Sequence, residues 1–228
     1  MGERRKTRPC FDKPVLSAVE GLSTNGFFCV LTAFSRLLAL ASVLFAPAAD
    51  AHLVETGFGG FYDGIAHLAM TPSDLLVVLA LALFAGQRGT TAARWALFAL
   101  PLAWLVGGLA GAKWPGAGVP PLWTTLSFLL AGALVALGAR VRYVGVASLA
   151  VLAGTLHGFA NGATMVPTGA SALALGGAAT AVFCLVAIVA AEVTALPSGW
   201  PRIAVRVAGS WIAAAGLLML GWLARTSF

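Results

Sequence analysis

The stretch that decides the fold is residues 52–89, which read "HLVETGFGGFYDGIAHLAMTPSDLLVVLALALFAGQRG". It places Asp63, His67 and Asp74 within twelve residues of one another, next to a long apolar run. A run that is apolar on all sides predicts a helix in a protein core or a bilayer. Ionisable groups at membrane depth are costly and usually mark a pathway or a binding site. This stretch therefore predicts both the class of fold and the place of its chemistry.

The composition of the whole chain predicts the same surroundings. Of its 228 residues, 60% are hydrophobic and only 10% are charged, and the mean hydropathy is +0.93. Soluble domains carry about 25% charged residues, so we expect an all-α, polytopic membrane helix bundle whose first partner is the lipid bilayer. The net charge of +6 does not indicate nucleic-acid binding, because the basic residues lie at the ends of apolar runs.

Six apolar segments predict transmembrane helices, near residues 73–87, 91–109, 121–139, 141–159, 169–191 and 203–224. Segment 57–70 is glycine-rich and too short to cross a bilayer as a helix. It favours a re-entrant or half-membrane helix that enters from the outer face. If this segment crossed completely, the chain would have seven spans and the opposite orientation of its connections.

The basic residues predict the orientation of the six spans. Lys113 and Arg225 lie on one side, and a larger set lies on the alternate connections: Arg88, Arg94, Arg140, Arg142, Arg202 and Arg206. The positive-inside rule places the arginine-rich side in the cytoplasm. Both mature termini are then expected on the periplasmic face of a bacterial inner membrane.

Residues 1–51 predict an N-terminal extension with a signal peptide, and residues 52–228 predict one integral membrane domain. Arg36 precedes a short apolar stretch, Pro47 interrupts it, and Ala49 and Ala51 supply the small residues of a cleavage site. The alternative is an uncleaved first transmembrane helix beginning near residue 27. Cleavage after Ala51 would expose His52, whose α-amine and imidazole could chelate a metal ion together.

Two polar clusters interrupt the apolar pattern, at residues 63–74 and 157–164. Asp63 and His67 are four residues apart and so share one helix face, and His157 and Asn161 repeat that spacing. Asp74 has a second interpretation, since a Thr-Pro-Ser-Asp sequence is typical of a capped helix start.

A third feature suggests that the two clusters meet. Gly154, Gly158 and Gly162 recur every four residues, a spacing that permits close approach of a neighbouring helix. We expect this glycine seam to face segment 57–87. The two clusters would then converge on one site, in a cavity open to the outer face.

The sequences "GIAHLAM…SDLLVVLALALFAGQ" and "LHGFANG" resemble the HupE/UreJ family, whose members are associated with nickel supply to hydrogenase and urease. His67 and His157 fall on histidines of the family's two motifs. Other positions differ from those motifs: Ser73 and Asp74 stand where the family has Asp-His, Asn161 replaces a histidine, and Thr164 replaces a glutamate.

The resemblance implies a site for a divalent transition-metal ion, with nickel favoured and zinc, cobalt, copper or iron sharing its ligand types. The candidate ligands are His52, Asp63, His67, Asp74, His157 and Asn161. The leading hypothesis is a membrane transporter, permease or binding protein for such an ion rather than an enzyme. The alternatives are an intramembrane metal-dependent hydrolase and a non-transporting accessory or assembly factor. A second copy of the chain or a metalloenzyme-maturation protein would be its partner.

Overall fold

A computed structural model of the protein describes residues 56–165 and 172–226. The helices in these ranges are α1 (Gly60–Met70), α2 (Pro72–Gln87), α3 (Thr90–Gly111), α4 (Pro121–Leu137), α5 (Tyr143–Met165), α6 (Ala172–Ala195) and α7 (Trp200–Thr226). No strand occurs in the described ranges. The prediction of an all-α membrane helix bundle is confirmed. The predictions for residues 1–51 and for His52 lie outside the described residues.

Four helices, α3, α5, α6 and α7, are long and apolar enough to cross a membrane. Helices α1 and α2 form a bent pair at 79°, either a broken span or a re-entrant segment, and counting them as one span gives five. Helix α4 has 17 residues and is about 26 Å long, slightly less than the ~30 Å hydrocarbon core. The predicted six spans therefore require α2 and α4 to cross as short helices.

The break between α1 and α2 follows from its sequence. Thr71 is extended and is the N-cap of α2, and Pro72 is the first helical residue. Proline suits this position because it has no N–H to leave unpaired and its φ is already helical. The predicted start of α2 at this point is confirmed.

Helix α2 is the central helix of the bundle and packs against all six others in the described chain. Val77, Val78, Ala80, Phe84 and Ala85 are fully buried although they point in different directions around the helix. Continuous apolar sequence is required there because no side of α2 faces water.

The glycine seam of α5 packs against α3. A Cβ added at Gly158 would collide with the carbonyl of Trp104, and one at Gly162 with the carbonyl of Gly108. The prediction that this seam faces segment 57–87 is therefore wrong. The physical reason is that α3 has small residues of its own at the contact, whereas α2 presents mainly valine, leucine and phenylalanine.

Glycines also bring two other pairs of helices together. Gly132 of α4 faces the backbone of Gly209 and Ala213 on α7. Gly64 of α1 lies against Ala174 of α6, which attaches the short helix to α6. Helix α1 thus packs mainly on α6, away from the seam.

Candidate functional site

The centre of the bundle contains a buried carboxylate–imidazole pair. Asp74, in the first turn of α2, has its Oδ1 atom 2.6 Å from Nδ1 of His157 on α5. The relative exposures are 3% for Asp74 and 0% for His157. One residue from each polar cluster is therefore in direct contact, and the alternative interpretation of Asp74 as a helix-capping side chain does not hold.

Ser127 of α4 extends this pair into a chain of three side chains. Its Oγ lies 2.7 Å from Nε2 of His157 and also 2.7 Å from the carbonyl oxygen of Thr124. A hydroxyl has one hydrogen to donate, so Ser127 donates either to His157 or to Thr124. In the second arrangement the imidazole donates from Nε2 to the serine oxygen. Both ring nitrogens of His157 are engaged in either arrangement.

Aromatic and amide groups enclose the imidazole. The Trp104 ring stacks on His157 with a centroid distance of 5.6 Å and an interplanar angle of 26°. Asn161, one turn beyond His157, is also buried. Three buried polar atoms around these residues have no hydrogen-bond partner: Asp74 Oδ2, Asn161 Nδ2 and Trp104 Nε1. Such atoms are uncommon in folded proteins, so they mark this place as one whose polar groups are not fully used within the chain.

The other candidates of the first cluster form no hydrogen bond with this pair. Asp63 Oδ1 accepts hydrogen bonds from the backbone N–H of Thr56 at 2.7 Å and from its hydroxyl at 2.6 Å. The carboxylate therefore holds the segment before α1 against the helix. His67 is half-buried and forms no hydrogen bond with Asp74 or His157. Its place in a shared site stays a prediction.

No group of three or more His, Cys, Asp or Glu side chains within the described ranges could hold a metal ion. Thr164, at the end of the second polar cluster, is exposed, and its hydroxyl donates to the carbonyl of Ala160. An ion at Asp74 and His157 would thus need further ligands of another kind, such as an amide oxygen or water.

Ser127 and Trp104 were not among the residues predicted from the sequence. Serine in an apolar helix commonly bonds to the carbonyl three or four residues before it, as Ser127 does with Thr124. Only the packing of α4 against α2 and α5 shows that its oxygen also reaches an imidazole.

An apolar cavity of about 460 Å³ opens beside Ser127. Its other lining residues are leucines, two alanines and one tryptophan, and three of them are exposed on the bundle surface: Trp123, Leu130 and Leu152. The serine hydroxyl therefore connects the buried pair to an apolar groove on the outside of the bundle.

Comparison with known proteins places the chain among its relatives. The family model described as "HupE / UreJ protein" matches residues 39–219. This chain belongs to the HupE/UreJ family. No curated protein and no solved structure matches it. Family membership and the long apolar helices together make it a multi-pass membrane protein.

The structure gives a reason for one departure from the HupE/UreJ motif. Asp74, which the resemblance aligned with a histidine of the family motif, contacts His157 directly. A carboxylate can accept the Nδ1–H of an imidazole, whereas a second imidazole would have to offer a lone pair of the correct tautomer. In this HupE/UreJ protein the two polar clusters are therefore joined by a carboxylate–imidazole contact.

Proposed function

We propose that this protein binds a divalent transition-metal ion within the membrane and carries it across the bilayer. Membership of a family linked to nickel supports the class of cargo. The observation that carries the proposal is the Asp74–His157 pair, which is ionisable and enclosed at the centre of the helix bundle. Side chains of this kind are rarely kept at membrane depth without a role in a pathway or a site.

The chemistry of the pair suits such an ion. Imidazole and carboxylate are ligands that nickel, cobalt and zinc accept, and Oδ2 of Asp74 is not used by the chain. Two ligands of one ion, each about 2.0–2.2 Å from it, usually stand farther apart than hydrogen-bonded atoms do. An ion held by both Asp74 and His157 would therefore have to separate them, and the coordinating ring nitrogen of His157 would have to carry no proton. Without an ion, Asp74 and His157 are hydrogen-bond partners of each other.

Asp63, His67 and Asn161 have supporting roles in this proposal. Asp63 and His67 lie on α1, outside the central pair, where they could hold an ion on its way to Asp74. Asn161 could add an amide oxygen once the pair has opened. If the chain is cleaved before His52, this residue would join Asp63 and His67 as a ligand of the incoming ion.

Uptake by purified protein in liposomes tests the function. Nickel, cobalt and zinc are added outside vesicles that contain a metal-sensitive dye, and empty vesicles give the background. We expect uptake of one or more of these ions, and its loss in Asp74→Asn and His157→Gln. Ser148→Ala is the matched control, because Ser148 is a hydroxyl of α5 that bonds only to the carbonyl of Val144 in its own helix.

Two other results would change the assignment. Metal binding without uptake would make the protein an accessory or assembly factor, acting with a second copy or with a metalloenzyme-maturation protein. If folded protein showed no metal binding and no uptake, the metal proposal would be wrong.

We also propose that the arginine-bearing end of the bundle faces the cytoplasm and that both mature termini face the periplasm. The arginine asymmetry supports this orientation. Removal of residues 1–51 as a signal peptide would agree with it, because that peptide would export the new N-terminus.

A second candidate function is supported by the order of the atoms Asp74 Oδ1, His157 Nδ1, His157 Nε2 and Ser127 Oγ. This is the order in which serine hydrolases connect an orienting acid, a general base and a nucleophile. With apolar lining next to Ser127, the substrate would be an ester with an acyl chain. Ser127 would attack the carbonyl carbon and pass its proton to His157, which returns it to the departing alcohol. Water would then release the acid from the acyl-serine.

Labelling with a fluorophosphonate probe decides this candidate. If the protein is a serine hydrolase, a probe with an alkyl chain should label the wild-type protein. The labelling should be lost in Ser127→Ala and retained in Ser148→Ala. An unlabelled wild-type protein that still takes up metal would eliminate the hydrolase and leave the transport proposal standing.

A further inference from the structure

A second cavity, of about 320 Å³, lies where α2, α4 and α6 end and α7 begins. It is lined by backbone at several glycines and by three arginine side chains: Arg88, Arg202 and Arg206. The cavity is far along the helices from the first turn of α2 that carries Asp74. It belongs to neither the metal proposal nor the hydrolase candidate.

Two of the three arginines differ in how far their hydrogen-bond donors are satisfied. Arg206 donates from Nε to the carbonyl oxygen of Ala136 at 2.8 Å, an ordinary use of arginine near a helix C-terminus. Arg88 lies with its guanidinium over the Phe84 ring, 5.9 Å from its centroid. Its buried Nε has no hydrogen-bond partner. A buried charged donor without an acceptor is destabilising, so an acceptor at this position would be favourable.

The positive charge at this cavity is also not neutralised. Burial and the nearby charges of Arg140 and Arg202 lower the pKa of Arg88. In the parts of the chain that the structure describes, no arginine forms a salt bridge. Glu192, near this end on α6, is exposed and does not pair with them. The arginines therefore repel each other at the rim of a cavity.

We propose that this cavity binds the phosphoryl group of an anionic ligand. Guanidinium groups present several N–H donors in one plane, which match the oxygens of a phosphate. The group could belong to the headgroup of an anionic phospholipid, since the cavity lies at the ends of membrane helices, or to free phosphate. Both sources share the same chemistry. Bound there, the phosphoryl group would join α2, α4, α6 and α7 at their ends.

Thermal unfolding of the full chain in nanodiscs tests the site. The base composition is phosphatidylcholine, one arm adds inorganic phosphate at matched ionic strength, and the other replaces part of the lipid with phosphatidylglycerol. The variants are Arg88→Gln and Arg202→Gln. Arg202 is exposed in the first turn of α7, so its replacement should not impair folding. Arg142→Gln is the matched control, because Arg142 carries the same charge at the same end, is exposed and does not line the cavity.

We expect an anionic ligand to raise the unfolding midpoint of the wild-type protein and of Arg142→Gln. Each cavity variant should bind it about tenfold more weakly, as loss of one charge-assisted hydrogen bond implies. A rise with phosphatidylglycerol alone identifies a headgroup, and a rise with phosphate alone identifies the free ion. The proposal is overturned if neither ligand raises the unfolding midpoint. It is also overturned if Arg142→Gln loses as much affinity for the ligand as the cavity variants do.

Discussion

His157 is held at the centre of the bundle by three different kinds of contact. Asp74 and Ser127 bond its two ring nitrogens, and Trp104 covers one face of the ring. A buried pair of ionisable groups contributes little net free energy, because the cost of removing such groups from water nearly cancels their attraction. The presence of this pair among the buried residues is therefore better explained by a function than by stability.

A double-mutant cycle measures how strongly the pair is coupled. We expect His157→Leu to lower the free energy of unfolding by about 3 kcal/mol, because it leaves the Asp74 carboxylate buried without a partner. The double variant Asp74→Leu/His157→Leu should be more stable than His157→Leu alone. Unfolding in mixed micelles gives these values.

Thr180→Ala is the control for this cycle, since Thr180 is exposed and bonds only within α6, and its cost should stay within about 0.5 kcal/mol. Additive effects of the two leucine substitutions would show that the Asp74–His157 contact contributes no coupling.

At the scale of the helices, close packing depends on where each glycine faces. Gly162 has no room for a side chain because α3 backbone lies directly against it, whereas a Cβ at Gly176 of α6 would meet nothing within 4 Å. Both residues lie inside helices with similar composition. The four-residue spacing marks Gly162 as a packing position, but only the structure shows that α3 is its neighbour and that nothing lies over Gly176.

Alanine substitution at these two positions should have opposite effects. Gly162→Ala must move α3 away from α5, and we expect a loss of about 2 kcal/mol, as for other overpacked sites. Gly176→Ala should be neutral or stabilising by up to about 1 kcal/mol, because alanine favours helix. The thermal midpoints of the two variants in the same detergent compare them. Equal midpoints would contradict the close contact between α3 and α5.

The same scale shows how far helix positions follow from local sequence. The predicted segment 73–87 corresponds to α2 at Pro72–Gln87, and 91–109 to α3 at Thr90–Gly111. Local features determine where these two helices begin and end: the length of the apolar run, Pro72 at the start of α2, and Gly89, whose φ is positive, between α2 and α3. The partners of each helix depend instead on its rotation, and a shift of one residue turns a side chain by about 100°. The seam prediction was wrong for that reason.

For the whole molecule, labelling of single cysteines tests the orientation. In a background without the native cysteines, Thr90→Cys lies at the arginine-bearing end and Ala117→Cys lies in the connection after Lys113; both residues are exposed. We expect a membrane-impermeant maleimide to label Ala117→Cys in intact cells and Thr90→Cys only after lysis. The reverse result would favour the seven-span alternative.

Processing gives a separate prediction at this scale. Cleavage after Ala51 should make His52 the first residue of the protein extracted from membranes, because Ala49 and Ala51 fit the small-residue positions of a signal peptidase site. N-terminal sequencing reads it directly. Replacement of Ala49 by a bulky residue, such as Ala49→Leu, should leave the longer chain uncut. Recovery of an intact Met1 chain from the wild type would remove His52 from the candidate metal ligands.

Sequence by itself determined that this chain folds in lipid, that it is helical, where the helices Pro72–Gln87 and Thr90–Gly111 lie to within about two residues, and that it belongs among HupE/UreJ proteins. These properties depend on composition, segment length and short motifs, which are local. Tertiary structure alone decided that Asp74 rather than Asp63 meets His157, that Ser127 joins them, and that three arginines surround one cavity. Such contacts join residues far apart in the chain, as 83 positions separate Asp74 from His157. They depend on which helix faces are packed together, and a single sequence does not specify that.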